Sequence, residues 1–235
     1  LRYYRQLDQS VTDTAAWISP SHWTARDLSS AYGIPIEAIQ VIPLGIPLDH
    51  RSVPLPRQSR RNYILAVGTI EPRKRYDLLL DALDRVNERV HLIVVGHPGW
   101  NTDSVQTRLR SHPRITWLQG VDDARLAQFY AEAIALAFPS RAEGFGLPAV
   151  EAMASGTPVV SSGGGALREV TGDAALTVEE QTPEAWAVAI QHMIADAAWW
   201  SQLSAAGRER AATFSWTETA RQTLEVYRKV VAEAR

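Results

Sequence analysis

Between Glu143 and Val160 the chain reads EGFGLPAVEAMASGTPVV. A carboxylate, two glycines, a proline, an alanine-rich run with a second carboxylate, and a glycine follow in that order. Pro148 suits the first turn of a helix, where no N–H is needed. Gly156 suits the left-handed position that ends one. The spacing predicts a short helix over PAVEAMAS, fed by the loop EGFG. A helix start presents unpaired N–H groups and a partial positive charge, a setting that favours phosphate. Gly144 and Gly146 let the backbone approach a ligand closely.

Working outward, apolar runs alternate with helical patterns. NYILAVG (62–68), HLIVVG (91–96), ITWLQG (115–120), IALAFP (134–139), TPVVSS (157–162) and AALTV (174–178) read as strands. They lack polar alternation, which implies cover on both faces. Apolar residues at 76, 79, 80, 83 and 86 have helical spacing. DARLAQFYAEA and the shorter ALREV read as helices too. The pattern predicts an α/β, Rossmann-like, doubly wound parallel sheet. Ligands of such sheets lie beyond the carboxyl ends of the strands, where the motifs sit.

The flanks differ. Thr182 and Pro183 form an N-cap and first-turn pair. SWTE (215–218) has the form of a capping box, Ser215 with Glu218. After it, Trp216, Ala220, Leu224, Tyr227 and Val231 make one apolar stripe that needs a surface. Near the start, AAWISPS (15–21) reads as a strand, HWTARDLSSAYG as a helix closed by Gly33, and IQVIP (39–43) as a strand. GIPLDHRSVPLPRQSRR is rich in Pro and Arg and reads as a linker. The expected division is 1–45, a 46–61 linker, 62–213 and 214–235. The first residues, LRYYRQLDQS, read like the middle of a helix, as if the chain began inside a larger protein.

Composition narrows the function. The 235 residues are 46% hydrophobic and 21% charged, with a net charge of −2. That charge carries no nucleic-acid footprint. There are no cysteines, hence no disulfide, thiol nucleophile or Cys-based metal site. The histidines show no metal-ligand spacing. No apolar run approaches the ~20 residues of a membrane span.

Glu143 precedes the glycine loop and Glu151 lies one turn into the helix. Carboxylates accept hydrogen bonds from hydroxyls. A ligand with hydroxyls at each end and phosphate between them is a nucleotide sugar. Glu151 would take the ribose, Glu143 the sugar, and the amides of Phe145, Gly146 and Leu147 the space between. VGTIEPRKRYD (67–77) adds Arg73 and Lys74 at another carboxyl end, cations suited to a diphosphate. The Gly163-Gly164-Gly165 run, between a strand and a helix, offers further amides to the same pocket. Neither glycine-ended strand is followed by G-x-G-x-x-G, which argues against a dinucleotide site.

GTIEPRK, FPSRAEGFGLPAVEAMASGTPVV and the weaker WISPSHWTARDLSSAYGIPIEAIQVIPLGI together resemble the retaining glycosyltransferases of family 4, which have the GT-B fold. The resemblance runs from about residue 13 to the end. It implies a nucleotide-diphosphate sugar bound mainly by residues 62–213, with GDP-mannose the first choice. It implies that Glu143 contacts the transferred sugar, Glu151 the ribose, and Arg73 and Lys74 the diphosphate. Gly144, Phe145, Gly146 and Leu147 form the backbone cradle, and Val121 lies near the base. No metal or other cofactor is expected. The acceptor is a glycan, a lipid or another hydroxyl compound. The location is cytoplasmic, with a peripheral place at the membrane surface as the variant for the intact protein. Many family members carry Arg where Thr69 stands, which shifts the burden to Arg73. Residues 1–45 then represent the tail of an N-terminal acceptor domain, and 214–235 a helix crossing back to it. A missing domain or partner chain, or self-association, would cover the apolar stripe. The alternative is a non-catalytic nucleotide-sugar-binding module.

Overall fold

The computed structural model describes residues 14–46, 54–86 and 90–233. The expected helix at the first ten residues and part of the expected linker lie outside them. The first described unit holds β1 (Trp17–Ser19), α1 (His22–Tyr32) and β2 (Ile39–Val41). The two strands pair in parallel, and Ala25 of α1 packs with Ile34 and Ile39. Gly33, at φ 68°, ends α1 as the sequence suggests.

The main sheet contains β3 (Tyr63–Val67), β4 (His91–Val95), β5 (Ile115–Leu118), β6 (Ala135–Phe138), β7 (Val159–Ser161) and β8 (Leu176–Thr177). All pairs are parallel, in the order β5-β4-β3-β6-β7-β8. Leu65 stands opposite Ile93 on one side and Leu136 on the other. The order therefore reverses between β3 and β6, the position where open sheets of this kind form a crevice.

Successive strand residues point to opposite faces, and both faces are covered. Ile64, Ala66, Leu92, Val94, Ala135 and Ala137 belong to one apolar layer. Helices α2 (Tyr76–Arg85), α3 (Asp103–Ser111) and α7 (Pro183–Ala195) close it with Leu79, Leu109 and Trp186. Tyr63, Leu65, Leu136 and Phe138 belong to the other layer. There α4 (Asp123–Glu132), α5 (Leu147–Ala154) and α6 (Leu167–Thr171) supply Phe129, Val150, Met153 and Leu167. Helix α8 (Ala197–Ala211) touches both layers through Trp200 and Ala211.

Three expectations need correction. Helix α3 was not anticipated, because DSVQTRLRS has only Val105 and Leu109 to turn inward. The strand AALTV shrinks to Leu176–Thr177, since Gly172–Ala174 form a single 3₁₀ turn. The capping box at Ser215 does not close: the Glu218 carboxylate goes to Arg221 and Gln222. Helix α9 (Trp216–Glu233) is seated at its start on the first unit. Thr219 donates to the Pro43 carbonyl at 2.7 Å, and a Cβ on Gly45 would lie 2.1 Å from the Trp216 nitrogen. Beyond that start its stripe is open, with Leu224, Tyr227 and Val231 each at least 45% exposed. No helix among the described residues is long and apolar enough to cross a membrane.

Arg60 looks like a solvated linker residue in the sequence, yet it is only 8% exposed. Its guanidinium reaches the Ala133 carbonyl at the end of α4 (2.9 Å). It also reaches the Ser155 and Gly156 carbonyls just past α5 (3.1 and 3.0 Å), Thr157 Oγ1 (2.6 Å) and the Leu55 carbonyl (3.1 Å). The Trp200 ring lies 4.9 Å away. Burial pulls its pKa down to about 10, so it stays charged at neutral pH. The negative ends of two helix dipoles, rather than a carboxylate, compensate that charge. We expect Arg60→Leu to cost at least about 3 kcal/mol, because several buried carbonyls lose their donors. Arg60→Lys should recover only part of this, since a lysine brings three donors in place of five. Urea unfolding of both variants checks it; an unchanged midpoint in Arg60→Lys would show that charge alone suffices.

Candidate active site

The β3 and β6 loops meet at the reversal point. After β3, Gly68 has φ 138°, and a Cβ there would come within 3.1 Å of the Lys74 side chain. The missing side chain leaves room for the ammonium. Pro72–Lys74 form one 3₁₀ turn that aims Arg73 and Lys74 toward β6. Arg75 ends the turn at φ 53°, a left-handed conformation that costs a non-glycine residue energy. Two hydrogen bonds to Gln181, both 3.1 Å, hold its guanidinium.

Lys74 is 8% exposed and its Nζ lies 4.9 Å from the Phe138 ring centre. The same Nζ is 2.7 Å from Glu143 Oε1. Arg73 takes the other carboxylate oxygen, Oε2, at 2.8 Å, and also pairs with Glu71 at 2.6 Å. Burial by itself would raise the Glu143 pKa. Lys74, by charge and hydrogen bond, and Arg73 outweigh burial and hold it below the usual carboxylate value. The Arg73 pKa is raised in turn: burial opposes, and Glu143 and Glu71 prevail. The three residues singled out from two separate motifs thus form one ion cluster, buried at Lys74 and Glu143. Arg73 is the accessible member, with 42% of its side chain exposed against 10% for Lys74.

The glycine loop behaves as its sequence suggests. Gly146 adopts φ 104° at the N-cap of α5, and Pro148 sits in the first turn. Phe145 turns its ring into the core, edge-on to Phe214 at 5.4 Å. Only its backbone is left for a ligand. Among the described residues, the N–H groups of Phe145, Gly146 and Leu147 have no backbone partner. Gly156, at φ 68°, closes the helix. Its N–H meets the Met153 carbonyl, and the Thr157 N–H meets that of Ala152 (2.9 and 2.8 Å). Both bonds belong to a Schellman motif.

The triple glycine is packed closely. The Gly163 and Gly164 N–H groups bind the hydroxyls of Ser161 and Ser162 (3.0 and 3.2 Å). Cβ atoms on Gly164 and Gly165 would come within 2.3 Å of the Arg141 carbonyl oxygen and 2.4 Å of the Glu143 nitrogen. The run therefore packs its backbone against the β6 loop and supports it.

Glu151, one turn into α5, accepts a hydrogen bond from the Tyr130 hydroxyl at 2.8 Å. Tyr130 is fully buried, and burial together with the Glu151 charge drives its pKa well up, so it donates at any ordinary pH. The sequence reading missed Tyr130. Its place one helix away, on α4, has no local signature. Val121 follows β5 in the turn to α4 and packs half-buried against the second apolar layer.

A family model described as glycosyl transferases group 1 matches residues 61–196. The chain belongs to this family. It is 31% identical to a D-inositol 3-phosphate glycosyltransferase of Xylanimonas cellulosilytica, over 94% of this chain and 58% of that protein. It is 34% identical to an MMP alpha-(1->4)-mannosyltransferase of Mycolicibacterium hassiacum, over 98% and 56%. The chain thus spans little more than half the length of these relatives. Among solved structures, HepE of Anabaena in complex with UDP and glucose superimposes with a TM-score of 0.81. The identity is 22%, over 92% of this chain and 64% of that one. Such neighbours establish the GT-B glycosyltransferase type of the six-stranded parallel sheet.

A carboxyl group held below its unfolded pKa adds stability above that value and loses it as pH falls through the folded one. Glu143→Gln leaves the buried Lys74 without its counter-charge and should cost about 3 kcal/mol at pH 7. The gap to wild type should close as pH falls below 4.5, the unperturbed carboxyl value. Urea titrations from pH 7 to pH 3 measure it; a gap that does not depend on pH would remove the ion cluster as its source.

Proposed function

We propose that this chain is the nucleotide-sugar-binding part of a retaining glycosyltransferase that moves a sugar from a nucleotide-diphosphate sugar to a hydroxyl acceptor. The observation that carries this reading is the convergence of Glu143, Arg73 and Lys74 with the unpaired amides of 145–147 at the sheet reversal. Arg73 is exposed enough to turn from Glu143 and Glu71 to a diphosphate. Lys74 stays buried and keeps the Glu143 carboxylate ionised. In transfer, the bond between the anomeric carbon and the diphosphate oxygen breaks. The acceptor oxygen bonds the same face, and its proton passes to the departing phosphate. Charge on that leaving group grows in the transition state, where a preset cation and fixed amides contribute most. The Glu143 carboxylate accepts from a sugar hydroxyl. Glu151, oriented by Tyr130, accepts from the ribose. GDP-mannose is the first donor choice, because relatives named as mannosyltransferases recur. A UDP-sugar is the competitor, because HepE was solved with UDP-glucose. The acceptor is a glycan, a lipid or another hydroxyl compound.

GDP or UDP should bind in the presence of chelator, since Arg73 and the amides of 145–147 do the work of a metal. At 100 times its dissociation constant the better ligand should stabilise the protein by about 2.7 kcal/mol. Calorimetry with chelator and then with magnesium tests this; binding that appears only with magnesium would overturn the metal-free reading.

Glu151→Ala should weaken the nucleoside diphosphate about tenfold or more, the cost of a hydrogen bond to a charged group. Tyr130→Phe should weaken it less, because the carboxylate remains and only its orientation loosens. Equal affinities in wild type and Glu151→Ala would remove Glu151 from the ribose site.

A further inference from the structure

The first unit reaches the nucleotide loop through side chains that the reaction chemistry does not use. Ser21 Oγ donates to the Gly144 carbonyl at 2.7 Å, and Thr24 Oγ1 donates to the same oxygen at 2.9 Å. Both hydroxyls come from the start of α1, more than a hundred residues away in sequence. Ser21 is 1% exposed and also caps α1 by accepting the Thr24 N–H at 3.0 Å. The α1 start is itself held by the other unit. Glu169 of α6 accepts the N–H groups of His22 and Trp23 on its two carboxylate oxygens (2.8 and 3.0 Å). A carboxylate is a strong partner for a helix start, by charge and by hydrogen bond. It also consumes the N–H groups that would otherwise make this end an anion site.

We infer that Ser21 and Thr24, steadied by Glu169, are positioning residues that fix the Gly144–Phe145 peptide so that the Phe145 N–H faces the nucleotide. The peptide is planar and trans, so its C=O and N–H point in opposite directions. Pinning the Gly144 oxygen to α1 on one side presents the Phe145 N–H on the other. The preceding peptide is pinned as well, because the Ala166 N–H binds the Glu143 carbonyl at 2.8 Å. Two consecutive peptides of a glycine loop are thereby held by groups outside it, one from each unit. Gly144 matters for this approach: a Cβ there would lie 3.3 Å from Thr24 Oγ1. A loop with glycines at two of three positions has much backbone freedom to lose when it binds. Holding it in advance removes part of that cost. The inference rests on the nucleotide reading above and names the part of the other unit that completes that site.

The test uses the intact protein with GDP and UDP. Thr24→Val keeps shape and removes the hydroxyl; Thr24→Ser keeps the hydroxyl. Calorimetry should show affinity for the better nucleotide falling in Thr24→Val, by about tenfold when combined with Ser21→Ala. Thr24→Ser should restore it. Amide hydrogen exchange at 144–147 without nucleotide should quicken in Thr24→Val and in Glu169→Gln, which leaves α1 intact and loosens its seat. A lower melting temperature with unchanged nucleotide affinity and unchanged exchange in the loop would overturn the inference and leave these contacts as packing alone. Wild type that binds neither nucleotide would overturn the nucleotide reading itself, and this inference with it.

Discussion

A carboxylate taken out of water survives as an ion only against compensating charge, and Glu143 has Lys74 on one oxygen and Arg73 on the other. This cluster sets the geometry around it. It ties the turn after β3 to the loop after β6, across the gap where the strand order reverses. Gly68 has no side chain because the ammonium fills that space. Arg75 accepts a left-handed backbone because the turn must bring two successive cations to one carboxylate. The triple glycine after β7 packs closely because the Arg141 and Glu143 backbone stands where Cβ atoms would be. Attraction inside the cluster fixes positions, and Arg73 leaves one side of it open to solvent.

Most of the fold was legible because strands buried on both faces leave continuous apolar runs, three of the six ending in glycine. Helix α3 escaped because a helix at the rim of a layer needs few inward residues, here Val105 and Leu109. At the site, the residue types were legible and their mutual contacts were not. Glu143, Arg73 and Lys74 announced themselves through the turn and the glycine loop. That the cations bind the glutamate follows from a close approach of two loops 69 residues apart. Tyr130 and Glu169 carry no motif, and the stretch that holds Ser21 and Thr24 gave no site residue. Each acts on a partner in another element, and sequence spacing holds no record of that distance. The capping box at Ser215 shows the opposite case. The motif is present, but Arg221 one turn on outcompetes the backbone for Glu218.

The two units divide the work of shaping the glycine loop. The sheet supplies charge and the amide row. The first unit supplies two hydroxyls and receives a carboxylate in exchange. Helix α9 starts against the first unit and then leaves an apolar stripe uncovered. The described contacts between units are thus polar at the glycine loop and at the start of α9, with Trp23 of α1 adding apolar area against the second layer. Polar contacts set direction, and apolar area sets strength.

Arg60 bears on where the chain divides. By composition, a protein engineer would cut anywhere in the Pro- and Arg-rich stretch before β3. Yet Arg60 holds the ends of α4 and α5, its Nε holds Leu55, and Pro54 lies where a side chain on Gly156 would be. Residues 54–60 are thus a fixed strap, laid down before β3 opens the main sheet. A tag, protease site or domain graft inserted within the strap would disturb the helix ends that it holds. Placed ahead of Pro54, it would leave the strap and both helix ends intact.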